Sequence, residues 1–62
     1  MPFVQIDWLE GRDEKTKEKL FIGIAKAFEK VGVKKENVQI IIRDVPKTNW
    51  ACGDIPFSIS RK

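Results

Sequence analysis

Apolar and polar residues alternate from position 3 to 9, with Val4, Ile6 and Trp8 on one side and Phe3, Gln5, Asp7 and Leu9 on the other. A period of two predicts a β-strand. Pro2 suits the strand's first position, where a missing N–H costs little. Glu10-Gly11-Arg12 breaks the alternation, and Asp13 followed by Glu14 supplies an N-cap and a negative first turn. From Glu14 to about Val31 the period lengthens. Leu20, Phe21, Ile24, Ala25, Phe28 and Val31 form one apolar helical stripe, with Lys15, Lys19, Lys26 and Lys30 largely off it. Gly32 is a natural residue for the helix exit.

A polar turn, Lys34-Lys35-Glu36-Asn37, precedes a second strand from Val38 to Val45, which Pro46 ends. Val38, Ile40 and Ile42 share one face of it, while Ile41 and Val45 make the other apolar as well, as in strands covered on both sides. Strand, helix and strand with short connections predict a right-handed β-α-β unit with two parallel strands. The alternation Phe57-Ser58-Ile59-Ser60 in the tail suggests a C-terminal hairpin or edge strand. The expected fold is therefore α/β, a single domain over residues 1–62.

A chain of 62 residues buries a low fraction of its surface, and metals, disulfides or self-association commonly make up the shortfall in stability. Cys52 is the only cysteine and there is no histidine, so no recognisable set of zinc or haem ligands is present. Self-association remains. One helix covers only one face of a two-stranded sheet, and further copies of the same chain are the simplest cover for the other. The lone cysteine and the absence of an apolar run of membrane-spanning length lead us to expect a cytoplasmic protein with no membrane partner.

Without histidine, Ser-His-Asp and Cys-His arrangements are excluded, and neither a glycine-rich phosphate loop nor H-E-x-x-H occurs. An N-terminal amine is what remains. Removal of Met1 would expose the secondary amine of Pro2; α-amino groups titrate near 7.7–8.0 in peptides, and burial against apolar neighbours such as Phe3, Leu9 and Trp50 lowers that further. Arg12 precedes a helix N-terminus, where a cation gains nothing from the macrodipole. It is a candidate carboxylate anchor; a surface arginine paired with Glu10 or Asp13 is the competing reading. The net charge of +3, from 12 basic and 9 acidic residues of mixed order, suits a small anion better than tracking along nucleic acid.

Pro2-Phe3-Val4-Gln5-Ile6, the Leu9-Glu10-Gly11-Arg12 that closes the first strand, the acidic helix start, the strand from Val38 to Ile42 and Trp50 together resemble the 4-oxalocrotonate tautomerase family. The resemblance runs through nearly the whole chain. It implies a homohexamer built as a trimer of dimers, with active sites drawn from more than one subunit; a dimer is the smaller alternative. It also implies a cofactor-independent isomerase in which Pro2, as general acid and base, moves a proton in an enol or dienol 2-keto acid. Arg12 would bind the substrate carboxylate from an adjoining subunit, and Trp50 with Leu9 beside it would keep the site dry.

One position departs from the pattern. Gln39 stands where better-known members of the family carry a second arginine that draws the developing enolate charge, so polarisation there would be weaker. Arg43 lies on the same strand face but about 13 Å away at strand rise. Asp54 in the tail would oppose a second carboxylate, which turns the expectation away from the usual dicarboxylate. Two other readings are carried forward: iminium or hydratase chemistry by the same amine, and a non-catalytic oligomeric module binding an anion or nucleic acid through Arg12, Arg43 and the lysines.

Overall fold

The computed structural model describes residues 1–60. Strand β1 runs Phe3–Leu9, helix α1 Glu14–Lys30 and strand β2 Gln39–Val45. The two strands pair in parallel, with Phe3 opposite Gln39, Ile6 opposite Ile42 and Leu9 opposite Val45. The even positions Val4, Ile6 and Trp8 are half-buried, as are Ile40 and Ile42 opposite the first two, while Phe3, Gln5, Gln39 and Ile41 are exposed. The sheet therefore turns one covered face inward, and Leu20, Phe21, Ile24, Ala25 and Phe28 on α1 are half-buried with it.

Both ends of α1 are set by the predicted residues. Asp13, in extended conformation, accepts the Thr16 N–H at 2.8 Å. At the other end Gly32 has φ +91, its N–H bonds the Glu29 carbonyl, and the Val33 N–H bonds the Phe28 carbonyl at 3.0 Å. This is the paired-bond exit that a left-handed residue permits. Val31, placed on the stripe by its spacing, is instead 74% exposed at the helix end. The half-buried residue there is Val33, because the reversal at Gly32 turns the chain back before another helical step is completed.

Residues Lys35–Asn37 form a 3-10 turn that Val38 closes by donating to the Lys35 carbonyl, so β2 starts at Gln39. A second such turn, Lys47–Asn49, follows Pro46. The tail then makes an antiparallel hairpin, β3 Ala51–Cys52 and β4 Ile55–Pro56, turning through Gly53 at φ +65 and Asp54. Phe57–Ser60, whose alternation suggested a strand, is a helical turn, α2. The Phe57 N–H bonds the Trp50 carbonyl at 2.7 Å, the next pair in the hairpin register, and the chain coils from there, with Ser60 Oγ donating to the Pro56 carbonyl at 3.5 Å. The last two positions of the tail, 61 and 62, lie outside the described residues.

The radius of gyration is 14.7 Å and the extents are 43 × 23 × 14 Å, against about 11 Å expected for a compact chain of this length. The accessible surface of 4999 Å² exceeds the roughly 4,100 Å² expected for a folded monomer of this mass. Among the described residues no side chain is fully buried, and Phe3, Ile22, Ile41 and Ile55 are each at least 41% exposed. An apolar groove of about 510 Å³ runs between α1 and the start of β2, lined by Phe21, Ile22, Ala25, Val38 and Ile40. One chain thus leaves much of its apolar surface uncovered. Among the described residues no helix is long and apolar enough to cross a membrane.

Candidate active site

Chemistry-bearing residues gather at the two ends of the strand pair. At the far end of β1 the Glu10 N–H bonds the Val45 carbonyl at 3.0 Å, and Gly11 at φ +119 turns the chain toward Arg12. The Glu10 carboxylate accepts the Lys47 backbone N–H at 3.3 Å, tying the turn after β2 to the loop after β1. The tail follows from there. Trp50 stacks on Phe57 with ring centroids 5.8 Å apart and planes 10° from parallel. The result is a recess of about 560 Å³ whose lining includes Trp8, Leu9, Arg12, Lys47, Trp50 and Phe57.

Arg12 faces this recess without an acidic partner among the described residues. Of the two carboxylates that could have paired with it, Glu10 is engaged by the Lys47 N–H and Asp13 by the Thr16 N–H. Thr16, through its side chain and then its N–H, holds the Asp13 carboxyl below its ordinary value. The Arg12 guanidinium carbon instead sits 5.2 Å from the centre of the Trp8 ring, within cation–π range. The indole is itself fixed, since Trp8 Nε1–H donates to Asp44 Oδ1 and Lys17 Nζ bonds Asp44 Oδ2. The hydrogen bond from Lys17 first, and that from Trp8 second, hold the Asp44 carboxyl below its ordinary value.

Pro2 lies at the opposite end. Its carbonyl accepts the Gln39 N–H at 3.1 Å, and a recess of about 570 Å³ there is lined by Met1, Pro2, Gly32, Val33, Lys34 and Asn37. Gln39 is opposite Phe3 in the register, on the exposed face of the sheet. Seven residue steps separate Pro2 from Leu9, roughly 23 Å at strand rise, too far for both to touch one small keto acid.

Of the five residues singled out by sequence, one chain therefore brings Leu9, Arg12 and Trp50 together and places Pro2 and Gln39 at the other end. Of the apolar neighbours expected around Pro2, only Phe3 is adjacent within the chain. Arg43 stands opposite Asp7 midway along the exposed face, lining neither recess. Cys52 is free and exposed in the hairpin. Lys34 and Asn37 near Pro2, and Trp8, Lys47 and Phe57 near Arg12, carry no site signal of their own in the sequence. Parallel pairing from residue 3 would have pointed to the first two, because it puts whatever precedes Gln39 beside Pro2. For Lys47 and Phe57 no local signal exists.

Residues 1–53 match the family model described as "Tautomerase enzyme". The chain is 43% identical over 56 residues to a 2-hydroxymuconate tautomerase of Comamonas testosteroni, covering 89% of each chain. A 2-hydroxymuconate tautomerase of Pseudomonas putida is 38% identical over the same shares. Among solved structures, a 4-oxalocrotonate tautomerase isozyme from Methylibium petroleiphilum superposes with a TM-score of 0.87 at 40% identity, over 98% of this chain and all of that one. A heterohexameric 4-oxalocrotonate tautomerase from Chloroflexus aurantiacus gives a TM-score of 0.87 at 32% identity, with the same coverage.

Proposed function

Since the chain belongs to the 4-oxalocrotonate tautomerase family and is a tautomerase, we propose that it isomerises an enol or dienol 2-keto acid with the Pro2 nitrogen as the base. The reading needs Met1 removed, so that the nitrogen is a secondary amine and not an amide. The neutral amine takes the enol proton, the electron pair moves through the conjugated system, and the resulting ammonium returns the proton to carbon. The net change is isomerisation, and the enzyme ends as it began. Gln39 donates a neutral hydrogen bond to the oxygen that carries the developing charge, a weaker pull than that of a guanidinium.

The observation that carries this reading is the separation of the two ends of the strand pair. Arg12, free of acidic partners among the described residues and sharing its recess with Leu9 and Trp50, is suited to a carboxylate; Pro2 is at the other end of β1, roughly 23 Å from Leu9 in the same chain. A working site then takes Pro2 from one chain and Arg12 from another. Self-assembly is supported independently by the exposed Phe3 and Ile41 on the sheet, by the groove along α1, and by the extended dimensions of a single chain. We infer a hexamer, six times the 7.2 kDa of one chain, as the assembly to look for; a species of twice that mass is the dimer alternative.

The test is an enol–keto assay with 2-hydroxymuconate on protein verified by intact mass to begin at Pro2. Loss of the amine at position 2 as general base lowers turnover by about 10²- to 10⁴-fold, so Met1-retaining protein, whose Pro2 nitrogen is an amide, should fall by that order; Pro2→Ala, which exchanges the ring amine for a primary one, should fall less. Full activity in Met1-retaining protein sinks the assignment of the base. Arg12→Ala should raise KM more than it lowers kcat, as expected for an anchor used in ground state and transition state alike.

A further inference from the structure

We propose that Trp8 is a positioning residue for Arg12, an indole platform that holds the guanidinium aimed into the recess and is itself locked by Asp44 and Lys17. The inference rests on the reading of Arg12 as the carboxylate anchor and adds a residue that reading does not use.

Arg12 follows a glycine at positive φ, is exposed, and has neither of its acidic neighbours to hold it. An unrestrained arginine in that setting samples many rotamers and loses that freedom when it grips a planar carboxylate. A guanidinium resting on an aromatic face has already given up much of it, yet keeps N–H groups at its edge to present to a carboxylate. The 5.2 Å approach of the Arg12 guanidinium carbon to the Trp8 ring centre provides that rest.

A platform works only if it does not turn, and Trp8 is fixed from three elements. Its backbone lies in β1, opposite Asp44 of β2 in the register. Its Nε1–H donates to Asp44 Oδ1, which sets the tilt of the ring. Lys17 of α1 occupies Asp44 Oδ2, leaving Oδ1 as the oxygen for the indole. The run Lys17, Asp44, Trp8, Arg12 thus ties the start of the helix and the end of the sheet to the anchor. Phenylalanine could supply the face without the N–H, and leucine the bulk without either.

Trp8→Leu, Trp8→Phe, Arg12→Ala and the double variant Trp8→Leu/Arg12→Ala are compared by steady-state kinetics on 2-hydroxymuconate, with each variant's fold checked by circular dichroism. From the strength of a cation–π contact at an exposed site, Trp8→Leu should raise KM by about two- to fivefold and leave kcat nearly unchanged. Trp8→Phe, which keeps an aromatic face but loses the Nε1–H bond to Asp44, should give a KM between those of the parent and Trp8→Leu. In the Arg12→Ala background the Trp8→Leu change should add nothing. Equal impairment by leucine and phenylalanine, an effect on kcat alone, or a Trp8→Leu penalty that persists without Arg12 overturns the proposal while leaving Arg12 as anchor. An Arg12→Ala variant with unchanged KM overturns the anchor and this inference with it. Independently of variant folding, the Arg12 Nε–H proton of the unmutated protein should resonate upfield of free arginine because it lies over the indole face, and an unshifted resonance overturns the contact.

Discussion

Two impaired forms of the chain should restore each other when mixed. Retention of Met1 makes the Pro2 nitrogen an amide and removes the proposed base, Arg12→Ala removes the proposed anchor, and the roughly 23 Å from Pro2 to the end of β1 means that no single chain supplies both to one substrate. In a symmetric assembly each site then draws Pro2 from one chain and Arg12 from a neighbour. When equal amounts of the two forms are dissociated in denaturant, mixed and reassembled, a site works only if its Pro2 comes from a Met1-free Arg12→Ala chain and its Arg12 from a Met1-retaining chain. Each condition holds for half the chains, so about one quarter of the sites are intact. Alone, the Met1-retaining chain should retain less than about one hundredth of parent activity. Arg12→Ala should retain about one tenth to one hundredth below KM, the usual cost of losing a hydrogen bond to a charged group. The assay follows 2-hydroxymuconate at sub-KM concentration before and after mixing, with each variant carried through the same cycle alone. Recovery to about one quarter fits a shared site; activity that stays at the mean of the two separate variants refutes it.

Gln39→Arg places a cation near Pro2, and kcat on 2-hydroxymuconate should rise by about 10²-fold, the lower end of the range lost when one such donor is removed. No gain would mean that Gln39 does not face the developing charge. The depressed Asp44 carboxyl fixes the sign of a pH effect: its contribution to stability is fully present above the ordinary value of 3.8 and is lost as pH falls through the lowered folded-state value. Asp44→Asn should therefore melt below the parent at pH 7, with the gap closing in strongly acidic buffer. A gap independent of pH would show that the ion pair with Lys17 is not its source.

Most of the fold was legible because it rests on period and on local stop signals. The switch from alternation in Phe3–Leu9 to the stripe around Leu20, Phe21 and Ile24, with Asp13 and Gly32 at the ends, specifies strand and helix from residues a few positions apart. Phe57–Ser60 departs from its alternation because four residues are too few to specify a strand, and the stacking of Phe57 on Trp50 lies beyond any local pattern. Tail and β1 are joined by Glu10 reaching the Lys47 N–H, which is equally invisible along the sequence. The site divides in the same way. Pro2, Arg12, Gln39, Leu9 and Trp50 could be named from motif, but their distribution over two ends of one chain needed the parallel register. The Lys17–Asp44–Trp8 brace joins positions 17, 44 and 8, so Trp8 reads in sequence only as a core-facing strand residue.

The central claim, that the Pro2 nitrogen is the base, is tested most directly by ¹⁵N NMR titration of that nitrogen in mass-verified protein beginning at Pro2, set beside the pH profile of kcat/KM. The account predicts one titration, at or below the range of about 7.7–8.0 usual for α-amino groups, with its midpoint on the ascending limb of the profile. A Pro2 nitrogen that keeps one protonation state across that limb, or titrates well away from it, would contradict the account.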